Sequence, residues 1–415
     1  MMTVTTIASA ACVNAASATD MATAAKKKAA AKPAPAKKAR GRASLAEDDT
    51  PVRSSRRSLE DDVEDPELAQ HASNYFAKVE SEDKEFVSTG AATLNCAAGG
   101  GWVLGRVVNL VGDKSAGKTL LAIEACTNFR IQYPKDPIRY AESEHAFDEP
   151  YAAALGLPVE SVEFAEKTDP ATGKKRSDAK PIRTVEDWYK DMKAFLDRCK
   201  ASKSKRGLYV IDSLDALSDE AEMKREMGEG TFGVSKPKLL GELFRRLIAD
   251  MDECKVMLIV VSQLKDKIGV TFGEKQTRAG GRALDYYATH IVWLADLGQI
   301  KKTVSGIERM VGRKIRARFK KNKVSLPFRE CEYPIIFGYG IDDLTSNAEW
   351  LIEHGREELL REHCDMSKSG YAKRIEKLRD LGGEPVRIVR ETLRKLVYQE
   401  WEKVERSFLP KARKY

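Results

Sequence analysis

The chain has 415 residues, 42% of them hydrophobic, and a formal net charge of +8; that length carries one large domain with smaller additions. No uninterrupted apolar run approaches the roughly 18 residues a membrane span requires, and seven scattered cysteines with no CxxC pair argue against a disulfide framework or a zinc site. The charge is local: residues 1–57 hold eleven Lys/Arg against four Asp/Glu, so the other 358 residues are close to neutral.

Residues 1–65 read as a disordered basic tail, rich in Ala, Ser, Lys and Pro (KKKAAAKPAPAKKARGR) and ending in an acidic stretch from Glu60 to Asp65. It acts either as a solubilising tail or as a salt-sensitive arm for polyanions. Residues 66–87 follow as a short amphipathic helix and linker (PELAQHASNYFAKV), a candidate polymerisation element. From about residue 88 to 340, short apolar runs alternate with helical patterns: RVVNLV, PIRYAE, GLYVID, KVMLIVVSQ, HIVWL, IRARF and YPIIF. Buried strands of this kind separated by helices predict an α/β domain with a mainly parallel central sheet. Residues 341–415 read as a small, basic helical domain with a turn at Gly382-Gly383.

The chemistry starts at Gly112-Asp113-Lys114-Ser115-Ala116-Gly117-Lys118-Thr119, which matches the phosphate-loop pattern G-x-x-x-x-G-K-[ST]. It follows the strand RVVNLV and opens the helix TLLAIEACTNF. Glycines let the backbone wrap an anion, and the amides of residues 114–118 point at phosphates with the helix N-terminus behind them. Lys118 is placed on the β- and γ-phosphates of ATP, and the Thr119 hydroxyl on Mg²⁺. Asp212, after four apolar residues in GLYVID, is the expected metal-side carboxylate. Glu142 and Glu144 both lie at the end of IRYA, and either could orient water for hydrolysis. Gln263 closes KVMLIVVSQ, where a neutral amide can bond a γ-phosphate and pull on the loop that follows.

That loop, from about Lys265 to Leu284, is expected to be irregular and suited to single-stranded DNA. Lys265, Lys267, Lys275, Arg278 and Arg282 can neutralise phosphates, Phe272 can stack on bases, and Gly280 and Gly281 allow close backbone approach. A second candidate DNA region spans residues 219–238, with Lys224, Arg225, Lys236 and Lys238.

Several of these segments, in order, resemble the RecA family of bacterial and phage recombinases. STGAATLNCAAGGGWVLGRVVNLVGDKSAGKT resembles the opening of its ATPase core. ESEHAFDEPYAAALGL resembles its catalytic-glutamate stretch, and QLKDKIGVTFGEKQTRAGGRALDYYATH its second DNA-binding loop. FKKNKVSLPF resembles the segment whose lysines reach a neighbouring subunit's ATP. The likeness implies a RecA-type phosphate-loop ATPase core over about residues 85–345. It selects Glu144 over Glu142, gives Asp148 and Tyr151 contacts to adenine, and makes Gln263 the coupler of ATP to DNA. It also makes Lys321 and Lys323 trans-acting cations.

The resemblance implies a DNA-dependent ATPase that forms a helical homo-oligomer on single-stranded DNA and exchanges strands with homologous duplex DNA. ATP and Mg²⁺ are its cofactors, a single-strand-binding protein is an accessory partner, and the setting is the cytoplasm of a bacterium or phage-infected host, without membrane. Alternatives on the same core are a ring helicase and a mediator or architectural filament protein that does not exchange strands. Three features depart from the family: a polar insertion at residues 165–185, a less similar region before Ser88, and a basic rather than acidic C-terminus (SFLPKARKY). A basic end adds to a DNA groove, so deleting residues 405–415 is expected to weaken DNA binding at matched salt; stronger binding by the truncated protein would count against this.

Overall fold

The structure, a computed structural model, describes residues 84–144, 147–178, 180–226, 235–266, 276–278 and 281–410. The expected N-terminal tail, the 66–79 helix, Lys267, Phe272, Lys275, Gly280 and residues 411–415 lie outside these.

A short antiparallel pair, β1 (Phe86–Val87) and β2 (Trp102–Val103), brackets α1 (Ala92–Ala98). The core then alternates: β3 (Val107–Gly112), α2 (Lys118–Gln132), β4 (Ile138–Glu142), α3 (Glu149–Ala154), β5 (Val162–Phe164), α4 (Val185–Ala201), β6 (Gly207–Asp212), α5 (Glu220–Lys224), α6 (Ser235–Glu253) and β7 (Val256–Asp266). Next come β8 (Gln276–Arg278), α7 (Gly281–Tyr287), β9 (Ala288–Val304), β10 (Ile307–Asn322), β11 (Glu330–Ile336) and β12 (Gly340–Ile341). Four helices end the described chain: α8 (Asp343–Glu353), α9 (Glu357–Cys364), α10 (Tyr371–Leu381) and α11 (Gly383–Ser407).

The sheet order is β12-β11-β10-β9-β3-β7-β6-β4-β5. From β9 to β5 every neighbouring pair is parallel, and β9 to β12 are antiparallel. Because side chains alternate along a strand, β3 sends Val108 and Leu110 into the core under α2, with Leu121 and Phe129. Val107 and Val111 point the other way, into a core with Trp188 and Phe195 of α4 and Phe244 and Leu247 of α6. Helices on both faces explain why these strands read as continuous apolar runs. Helices α8–α11 build a third core around Leu344, Leu351, Leu360, Ile375, Leu393 and Val397, joined by Ala92 of α1.

Three local readings differ from the sequence expectation. HIVWL and IRARF are only the inner halves of strands of 17 and 16 residues. Their outer halves are exposed and carry no apolar run, being held by the mutual ladder and a two-residue turn, Ser305-Gly306, with φ of 51° and 78°. Second, the segment after Gln263 is not irregular throughout. β7 continues three residues further, β8 folds back on it through Leu264↔Arg278, and α7 follows. Third, the 405–415 truncation is not a clean deletion. Glu405 receives two bonds from Arg329 on the core, at 2.7 and 2.5 Å, so a cut after Pro410 separates tail charge from packing.

His290, at the start of β9, is fully buried between Trp102 and Phe319, and its Nε2 lies 3.1 Å from Ala98 O. Burial pushes its pKa down to about 4. Between pH 6.5 and 4 the unfolded chain therefore binds a proton that the fold refuses, and stability is lost as pH falls through that window. One such histidine contributes up to about 3 kcal/mol to the loss. His290→Gln is expected to flatten this limb of stability against pH in urea unfolding; an unchanged slope would assign the loss to other groups.

Candidate active site

Parallel strands place their C-terminal ends on one edge of the sheet, where α/β folds hold ligands. The registers Gly112↔Gln263, Glu142↔Asp212 and Ile211↔Val260 bring the ends of β3, β7, β4 and β6 within about two residues of one another.

Residues 113–117 turn between β3 and α2, with Ser115 and Gly117 at φ of 65° and 81°. Gly117 caps α2 in the left-handed region, and an added Cβ there would meet Ile335 Cδ1 at 2.7 Å. Lys118 opens the helix and its Nζ donates to Asp113 O at 2.7 Å, which curls the ammonium over the loop. Burial lowers the Lys118 pKa, while Asp212, Glu144 and Asp113 oppose that shift. The loop has the form of an anion cradle with one cation poised above it.

Beside it, Asp212 is buried, and its Oδ2 accepts from Thr119 Oγ1 and from Tyr140 Oη, each at 2.8 Å. Burial raises the Asp212 pKa, and the two hydroxyls pull it down. A hydroxyl and a carboxylate so close are hard oxygen donors of the kind Mg²⁺ takes when phosphates and water complete its shell. A cation there would also relieve the cost of the buried charge, so Thr119 and Asp212 fit the ion.

The two candidate glutamates part ways in the fold. Glu142 Oε1 accepts from Phe147 N at 2.6 Å and so ties the turn after β4. Glu144 is exposed and reaches across to the other strands: its Oε1 accepts from Ser213 Oγ and, at 2.8 Å, from Gln263 Nε2. The Gln263 backbone is fixed in turn by Asp215, whose Oδ2 accepts from Gln263 N at 2.7 Å. The edge thus gathers Lys118, Thr119, Asp212, Glu144 and Gln263.

Asp148 caps α3 by accepting from Tyr151 N at 2.9 Å. Tyr151 is half-buried and lines a cavity of about 220 Å³ with Ser115, Lys118, Thr119, Arg313 and Phe337. Arg313 pairs with Asp296.

Lys321 and Lys323 are elsewhere. Asn322, between them, pairs with His290, and His290 is level with Val108 on β3. That is the opposite end of β3 from Gly112, roughly 13 Å along the strand. Both ammonium groups are held by backbone carbonyls at the end of α7: Lys321 by Asp285 O and Tyr286 O, Lys323 by Tyr286 O at 3.0 Å.

Among the expected DNA residues, Lys265 is exposed and pairs with Asp215 at 3.1 Å. Arg282 is exposed on α7, and Gly281 opens that helix with φ of 48°. Arg278 faces inward instead, its side chain only 9% exposed. Lys236 is also turned in, donating to the carbonyls of Leu214 and Leu217, and burial lowers its pKa. Lys224 and Lys238 are exposed.

Sequence reasoning missed Tyr140, Ser213, Asp215 and Arg313. Tyr140 had a signal: it is the one hydroxyl on β4, two residues before Glu142. The other three act through contacts between strands that no local pattern reports.

Among the described residues, no helix is long and apolar enough to cross a membrane. A family profile described as the RecA N-terminal domain matches residues 68–179 and 196–342. The RecA protein of Crocosphaera subtropica is 32% identical over 277 residues, covering 65% of this chain and 72% of its own. That of Prochlorococcus marinus is 34% identical over 277 residues, covering 65% and 68%. That of a Nostoc species is 32% identical over 271 residues, again covering 65% and 68%. With the profile spanning more than half its length, the chain belongs to the RecA family of recombinases.

Proposed function

We propose that the chain is a DNA-dependent ATPase that polymerises on single-stranded DNA and carries out homologous pairing and strand exchange, with ATP and Mg²⁺ as cofactors. One observation carries this reading most: β7 brings Gln263 onto Glu144 at the nucleotide edge and then runs directly into the segment with DNA-binding chemistry. A change in what Gln263 bonds is therefore felt by the DNA segment within a few residues. Lys118 and the loop amides hold the phosphates, and Glu144 orients the attacking water. Thr119 and Asp212 would hold Mg²⁺, which would supply charge neutralisation at the phosphates. Gln263, released from Glu144, donates to the γ-phosphate and draws the end of β7 with it. Lys321 and Lys323 cannot serve their own subunit's phosphates from the far end of the sheet, so they act on a neighbour's.

Strand exchange between a labelled oligonucleotide duplex and a homologous single strand tests the proposal. Transfer that requires ATP and homology is expected; DNA binding and hydrolysis with no transfer would reduce the protein to a mediator.

A further inference from the structure

We propose that Arg278 is a positioning residue that latches the return leg of the DNA segment to the phosphate-loop strand, and not a contact to DNA phosphates. This rests on the function proposed above. The guanidinium stands on β8, yet its Nε donates to Asn109 Oδ1 at 2.6 Å and its Nη2 to Asp285 Oδ1 at 2.8 Å. A cation taken this far out of water is retained only where its donors meet oriented acceptors, and both acceptors here come from other elements.

Asn109 is fully buried on β3, three residues before Gly112. Its amide donates to Val260 O and to Ser262 Oγ, both at 2.9 Å, so among the described residues Oδ1 is left for Arg278 alone. Without the guanidinium that oxygen is a buried acceptor with no donor, which gives the latch its direction. Ser262 immediately precedes Gln263. At the other end, Asp285 lies in the last turn of α7, whose final carbonyls hold Lys321 and Lys323. One polar chain thus joins three parts: the strands feeding the phosphate loop and Gln263, the returning leg of the DNA segment, and the support of the two lysines. Occupancy of the DNA segment reaches both ends of the ATPase machinery through it. Exposed Lys265 and Arg282 are left for phosphate contacts.

The test uses Arg278→Ala, Arg278→Lys and Asp285→Asn in the full chain. Three readouts are taken: amide hydrogen exchange over residues 276–290 without nucleotide or DNA, the salt dependence of single-stranded DNA affinity, and ATPase stimulation at saturating DNA. All three variants are expected to exchange faster over this segment, to keep the wild-type salt slope, and to lose DNA stimulation about tenfold. Lysine fails to rescue because it lacks the fork that spans Asn109 and Asp285. Asp285→Asn is decisive, since a carboxylate makes no favourable phosphate contact and its loss can only help DNA binding electrostatically.

The proposal is overturned if Arg278→Ala lowers the salt slope by about 0.7, the value of one lost phosphate contact on a single strand, while Arg278→Lys restores wild-type behaviour. Unchanged exchange in Arg278→Ala and Asp285→Asn overturns it as well. If wild-type ATPase ignores DNA, the recombinase reading fails; the exchange result, which needs no DNA, still decides the latch.

Discussion

Glu144→Gln is expected to keep ATP and single-stranded DNA binding within about twofold of wild type and to slow DNA-stimulated hydrolysis by about 10²–10³-fold. The substitution preserves shape and leaves an oxygen that can still accept from Ser213 and Gln263, the two groups that hold Glu144 in place. It removes the charge that draws a proton from water as it attacks. Glu142→Gln is the control. Glu142 is committed to Phe147 N, so its variant should lose local stability and little rate. Single-turnover hydrolysis with equilibrium nucleotide binding separates the two, and a large rate loss in Glu142→Gln with normal turnover in Glu144→Gln would exchange their roles.

Lys321→Ala is expected to abolish stimulated hydrolysis by at least about 10²-fold, as removal of a cation supplied from a neighbour does in other phosphoryl-transfer sites. Its distinguishing consequence is complementation. In a head-to-tail assembly, a Lys321→Ala subunit keeps its own Glu144 and receives Lys321 from a Glu144→Gln neighbour. An equal mixture of the two dead variants should therefore recover roughly a quarter of wild-type activity, the fraction of randomly formed interfaces with both groups intact. No recovery would mean that Lys321 acts within its own subunit or only on folding. The pH profile adds a second signature. Burial, and then the neighbouring Lys323 charge, lower the Lys321 pKa to about 8. Its positive charge is thus lost as pH rises through 8, and activity should fall on that side. Lys323→Ala removes the like charge and should move the fall to higher pH.

How much of this was legible follows from what each feature depends on. The phosphate loop and Asp212 announce themselves because a strand, a turn of fixed length and a helix N-terminus are all local, and the residues sit at fixed offsets within them. The parallel core was legible for a related reason: strands covered on both faces leave apolar runs that composition reveals. Glu142 and Glu144 were not separable from the residues alone, since both leave the same strand end; bonds from Phe147 on one side and from Ser213 and Gln263 on the other distinguish them. Arg278 reads as a phosphate contact because a cation in a glycine-rich segment reads as solvated, whereas the structure turns its side chain inward. What turns it inward is Asn109, 169 positions earlier in the chain. Lys236 lies in the 219–238 region read as a candidate DNA loop, while its ammonium donates to two carbonyls after β6. The long β9–β10 ribbon escaped notice because its outer half buries almost nothing, and periodicity reports burial rather than hydrogen bonding.

An ATP site completed between subunits on single-stranded DNA makes hydrolysis depend on both the DNA and the neighbouring protein. ATP hydrolysis measured with and without single-stranded DNA across a protein titration, for wild type and Glu144→Gln, tests it most directly. Strong stimulation by DNA, a steep dependence on protein concentration, and loss of the activity in the variant are expected. Hydrolysis that ignores DNA and rises linearly with protein would contradict it, since a site complete in one subunit has no use for lysines at the far end of the sheet.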